Sequence, residues 1–196
     1  MLFPITIPIF WNDLDIWQDP DLWRDTERGF RMATIVKRSG LIHFLNVTPN
    51  ESTPTWGQIN TGHESFNTAY NAENTTRQWI GEDVGTTNVE RYAPTIAATQ
   101  IAHAGEPVFD FIDDLSFELA VGANAETDYL EVRVYKAPAG SLTIPARLVR
   151  VAIGIGDEGD ASDAPLQRSY TINWKGTPTK GTFNPSTRAF APAPTI

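Results

Sequence analysis

Apolar and polar residues alternate in short runs along most of this chain, and one stretch departs from that rhythm. Over residues 105–120, Val108, Ile112, Leu115 and Leu119 recur in steps of four, three and four. At 3.6 residues per turn those steps share one face of a helix. Pro107 suits the first helical turn, which needs no backbone donor. Glu106 and Asp110 lie where the positive end of the helix dipole favours negative charge. Asp110, Asp113 and Asp114 share the opposite face. The pattern predicts one amphipathic helix, about 106–120, laid against a body of strands.

The strand signals follow one another with little ambiguity of type. Residues 33–36 and 41–47 flank the short turn Arg38-Ser39-Gly40 and are expected to pair. Residues 56–59 make a short strand, and 62–72 are polar without a clear period, so a long loop is expected there. Residues 75–80 and 87–101 enclose the turn 81–85; Pro94 should break the second run or set it at an edge. Residues 129–135 alternate strongly, with Leu130, Val132 and Val134 on one side and Tyr129, Glu131, Arg133 and Tyr135 on the other. A further strand, 147–155, leads into an acidic loop, 156–163. Residues 166–174 and 179–183 are expected to form a hairpin around Lys175-Gly176-Thr177-Pro178. No internal repeat is evident.

The two ends differ from this body. Residues 1–30 read as an extended arm carrying Pro4, Pro8 and Pro20, with Trp11, Trp17 and Trp23 at intervals of six. Even spacing puts all three rings on one side of an extended chain. Asp13, Asp15, Asp19, Asp21, Asp25 and Glu27 interleave with them. Large rings need cover, from the chain's own domain or from a neighbouring subunit. The neighbour is the favoured reading. Residues 186–196 are a Pro- and Ala-rich tail, which leaves 31–185 as the β domain.

Composition narrows the function. At 196 residues the chain can bury a real core in one domain. The absence of cysteine excludes a disulfide framework and thiolate metal sites. No apolar run approaches the roughly 20 residues of a membrane-spanning helix. Residues 1–10 are apolar but lack a basic start, so a signal peptide is not expected. Net charge is −9 and unevenly spread: residues 105–165 hold twelve acids and four bases, residues 166–196 four bases and no acid. Without clustered Lys and Arg, tight nucleic-acid binding is not expected. An acidic middle with a basic end suits packing of copies, acid to base, or solubility alone.

Candidate chemistry is sparse. His43, His63 and His103 lie in unrelated contexts, and no two-His metal motif or nucleophile elbow is present. Asp110, Asp113 and Asp114 could hold a cation but read as a solvated helix face. Asp157, Glu158, Asp160 and Asp163 resemble a calcium loop without EF-hand spacing. No Gly-rich phosphate cradle opens a helix. Hence no catalytic, cofactor-binding or metal site is assigned; no cofactor and no enzymatic activity are expected.

The order of features is more informative than any motif. Trp56-Gly57-Gln58-Ile59 comes first, then Gln78-Trp79-Ile80 with its acidic turn, then Tyr92-Ala93-Pro94-Thr95-Ile96. Gly105-Glu106-Pro107-Val108-Phe109-Asp110-Phe111-Ile112 opens the helix, the 130–135 strand follows, and Lys180-Gly181-Thr182-Phe183 closes the last hairpin. Over roughly residues 31–185 this succession resembles the major tail proteins, or tail tube proteins, of long-tailed non-contractile bacteriophages (siphophages). The Trp-rich arm departs from the pattern. The resemblance implies a mainly β fold, a β-sandwich or flattened barrel of two packed sheets with one flanking α-helix. It implies a structural virion protein in stacked hexameric rings, a tube for DNA ejection, assembled in the bacterial host cytoplasm. Its partners would be its own copies, tape measure and tail terminator proteins, and viral DNA passing without specific binding. The family has no catalytic residues to carry over. On this reading the candidate lumen or ring-contact carboxylates are Asp110, Asp113, Asp114, Asp157, Glu158, Asp160 and Asp163. The candidate inter-subunit arm residues are Trp11, Trp17 and Trp23. A carbohydrate- or receptor-binding β-sandwich of a virion is the alternative.

Overall fold

A computed structural model describes residues 35–194. In chain order the elements are β1 (Leu41–Asn46), β2 (Trp56–Gln58), β3 (Asn67–Ala69), β4 (Ala72–Arg77), β5 (Thr86–Tyr92), β6 (Thr95–Ile101), α1 (Pro107–Phe117), β7 (Glu126–Arg133), β8 (Ile144–Gly159), β9 (Gln167–Asn184) and β10 (Ala189–Pro192). One eight-stranded sheet runs β2-β1-β7-β8-β9-β6-β3, with β10 beside β9; β4 and β5 form a separate two-stranded sheet. All pairings are antiparallel. The ends of the large sheet meet. Phe66, just before edge strand β3, lies 4.8 Å ring to ring from His43 of β1. Arg38, ahead of β1, donates to the Phe66 carbonyl at 3.3 Å. The sheet therefore curls into a flattened barrel, the mainly β class that the sequence predicts, with one α-helix among the described residues.

Strand alternation divides the apolar residues between two clusters. One face gathers Leu45, Ile96, Tyr129, Val149, Val151, Ile153, Tyr170 and Ile172 under the helix residues Val108, Ile112 and Leu115. The other gathers Phe44, Trp56, Leu130, Val132, Ala146 and Phe183. Helix α1 starts where the sequence places it. The Glu106 side chain accepts from Phe109 N at 2.7 Å and caps the first turn. Gly57 of β2 lets the helix approach: a Cβ there would lie 2.8 Å from Val108 Cγ2.

Several expectations are corrected. The helix ends at Phe117, and Leu119 is 82% exposed instead of on the buried face. Its φ of +49° turns the chain left-handed, a position usually given to Gly after a helix, and this swings the side chain away from the stripe. Residues 35–36 form no strand with β1, whose partners are β2 and β7; residues 33–34 lie outside the described ones. Residues 166–183 are not a hairpin. Residues 167–184 form the single strand β9, whose two halves both pair with β8, and residues 176–178 bulge out between them. Gly176 takes φ +81° in that bulge. The turn signal was real, yet β8 is long enough to hold both halves. The acidic loop is shortened because β8 runs to Gly159, and the 62–72 loop contains β3. Residues 87–101 break before Pro94 as expected, and the halves enter different sheets. The tail adds β10 to the edge of β9 near Phe183.

Candidate functional site

The β4–β5 ribbon stands apart from both core clusters. Of its thirteen strand residues, all but Thr75 are exposed. Its cross-strand bonds are Arg91 Nε to Glu73 at 2.7 Å and Thr76 to Thr87 at 2.8 Å. An isolated two-stranded ribbon is marginal in water. Its tip is closed by two hydrogen bonds: Gln78 donates to the Glu82 carbonyl at 2.7 Å, and Glu82 N donates to the Trp79 carbonyl at 3.1 Å. That turn presents Trp79, Ile80 and Val84 to solvent. A second exposed apolar group, Phe117, Leu119 and Val121, follows the end of α1. Large apolar side chains grouped on a surface mark places where something binds.

The candidate carboxylates are only partly brought together. Asp113 of α1 and Glu158 of β8 both meet Arg168 Nη2, each at 2.7 Å. Arg168 is buried, and its guanidinium lies 5.5 Å over the Phe109 ring. This ion triad pins the helix to the sheet. Asp110 accepts from Gly105 N at 3.1 Å and serves the helix start. Asp114, Asp157, Asp160 and Asp163 are exposed. Among the described residues no cluster has metal-binding geometry. Trp11, Trp17 and Trp23 lie outside the described residues.

Strand register builds a polar row that the sequence alone does not reveal. His43, Glu131, Arg147 and Lys180 stand opposite one another across β1, β7, β8 and β9. Glu131 is 1% exposed. It receives Arg133 Nε at 2.9 Å and Arg147 Nη2 at 2.5 Å. One buried carboxylate thus faces two guanidiniums, leaving a net positive charge. Arg147 also donates to the Tyr70 hydroxyl at 2.8 Å and stacks 4.6 Å over the Trp174 ring. These groups form one wall of a groove of 820 Å³ completed by Tyr92, Pro94 and Pro178.

The histidines serve the interior. His43 Nδ1 bonds the Tyr129 hydroxyl, and His63 Nε2 lies 2.6 Å from the Tyr170 hydroxyl. Burial, and then the Arg38 guanidinium, pushes the His43 imidazole down to about 4. Burial lowers His63 as well and raises both phenols. At neutral pH two uncharged rings therefore satisfy two buried hydroxyls. Glu131, Arg147 and Arg168 were not singled out from the sequence. The Glu131-x-Arg133 spacing on an alternating strand was the one available signal, and it reads equally as a solvated face.

No protein-family model matches the chain, and no curated protein matches it. Solved structures do. A chain from the tail of an empty GTA particle of C6 symmetry is 11% identical, spans 74% of this chain and 98% of its own, and has a TM-score of 0.49. A chain of the anti-feeding prophage baseplate is 12% identical over 78% of this chain and 98% of its own, at 0.45. One from the tube-terminating cap of the same prophage is 14% identical over 80% and 97%, at 0.46. The likeness to these tail, baseplate and cap chains is one of backbone outline.

Proposed function

We propose that this chain is a structural tail-tube subunit of a phage-type particle, self-assembling into stacked hexameric rings through which DNA is ejected. The observation that carries the proposal is the β4–β5 ribbon. It is closed by hydrogen bonds at its turn, projects no side chain into either core cluster, and carries Trp79, Ile80 and Val84 exposed at its tip. Such a tip gains stability when another surface removes it from water, at about 25 cal/mol per Å² of apolar area. The occupant is a second copy. Rings and stacks arise when one surface of a subunit meets a different surface of the next and the rotation closes. This chain offers two separate apolar groups on different elements, the ribbon tip and the end of α1.

The remaining roles follow from charge. A conduit for DNA must not hold it, and exposed carboxylates repel phosphate without exchanging counterions. Asp114, Asp157, Asp160 and Asp163 suit that lining better than Asp113 and Glu158, which are engaged by Arg168. Tape measure and tail terminator proteins are the expected further partners, with the virion tail as the location and the host cytoplasm as the place of assembly. Electron microscopy of the concentrated full chain tests the reading. Rings or tubes are expected; discrete particles that bind a glycan would replace it with a receptor-binding module.

A further inference from the structure

The 820 Å³ groove lies between the base of the ribbon and the β9 bulge. Tyr70 and Tyr92 meet edge to face, 6.5 Å apart, on one side of it. Trp174, with Arg147 stacked on it, lies on the other. Pro94 and the bulge residues Thr177 and Pro178 complete the rim. The wall is thus aromatic with a guanidinium set into it, and the Glu131 triad behind carries one excess positive charge. Aromatic faces and excess positive charge together select an occupant that brings flat apolar side chains and carboxylates.

The chain itself contains such a segment. Trp11, Trp17 and Trp23 are each followed two positions later by an aspartate: Asp13, Asp19 and Asp25. Bound in an extended form, a tryptophan and the residue two positions on present to the same side. The ring would then lie against the groove's aromatics while its aspartate meets the positive charge at Arg147. Over residues 1–30 six carboxylates stand against two arginines, so the segment is complementary in charge to the groove. We infer that this groove receives a Trp-x-Asp unit from the N-terminal arm of a second copy. The inference rests on the assembly reading above and gives the arm its acceptor site.

The chain has no cysteine, which permits a direct test with the full-length protein. One variant carries Asp21→Cys, between two Trp-x-Asp units; the other carries Thr177→Cys, on the groove rim. Mixed under oxidising conditions, they should give a disulfide-linked pair of the two variants, identified by mass. Ser162→Cys, in the acidic turn before β9, should link far less. Adding Tyr92→Ala to the Thr177→Cys chain, or Asp13→Asn, Asp19→Asn and Asp25→Asn to the Asp21→Cys chain, should cut the yield about tenfold, as loss of one interface anchor does. Unchanged melting temperatures would show that these exposed substitutions leave the fold intact. A link that forms only when both cysteines are on one chain overturns the inference, as does no link or one indifferent to Tyr92→Ala. Electron microscopy of the same samples separates the two readings. Tubes without the link sink the docking site alone, and the link without rings or tubes sinks the tail-tube function alone.

Discussion

Glu131 and His43 face each other across β1 and β7 and carry opposite electrostatic demands. Glu131 is buried yet matched by two guanidiniums. Removing a matched charge from a buried group strands its partners, at a cost of about 3 kcal/mol. Glu131→Gln should therefore destabilise the fold by about that amount in urea unfolding. Replacing Arg147 by Met in the same chain should recover part of the loss, which a double-mutant cycle would measure. His43 works through the proton it does not bind. Its imidazole titrates near 4 in the fold and near 6.5 when unfolded. Below pH 6.5 the unfolded chain takes up a proton that the folded chain refuses, so stability falls with pH until about 4 and is full above 6.5. On the order of 2–3 kcal/mol should be lost across that window, and His43→Asn should flatten the curve between pH 6.5 and 5.

At the scale of elements, helix α1 shows how far a periodic stripe can be trusted. Val108, Ile112 and Leu115 are buried, but the fourth member of the stripe, Leu119, is not. Periodicity assumes that the helix continues, and the left-handed turn at Leu119 ends it first. Ile112→Ala should cost about 3 kcal/mol. Leu119→Gly should be neutral or stabilising by up to about 1 kcal/mol, because glycine adopts that turn without strain. Chemical denaturation of both variants checks the contrast. The long strand β9 makes the complementary point. Lys175-Gly176-Thr177-Pro178 has the chemistry of a hairpin turn, and it does interrupt the ladder. It makes a bulge because the strand opposite continues past it, a fact no short window around the turn contains.

Across the whole molecule the exposed groups matter more than the core. Ile80 is fully exposed at the ribbon tip, so Ile80→Asp should leave stability within about 0.5 kcal/mol. The same change should abolish rings and tubes in electron micrographs if the tip is an assembly surface. Deleting residues 1–28 should leave a folded chain that assembles poorly, because Val36–Ile196 forms a compact unit with its own core. Sedimentation and circular dichroism of the truncated chain measure the two halves of that statement. Unimpaired tubes from it would remove the arm from assembly.

Local pattern alone determined the mainly β class, the place of the described helix and the break at Pro94. Each follows from the preferences of neighbouring residues, which act over a turn or a strand. Tertiary structure alone decided which strands pair, that β9 runs on through its bulge, and that the sheet ends meet at His43 and Phe66. It also decided that Arg147, Trp174 and Tyr70 share one wall with Glu131 paired behind it, and that Asp113 and Glu158 are claimed by Arg168. The strand pairings alone join residues as far apart in the chain as Leu41 and Arg133. Register sets them, and register follows from the summed burial of a whole sheet face, which no short window of sequence contains.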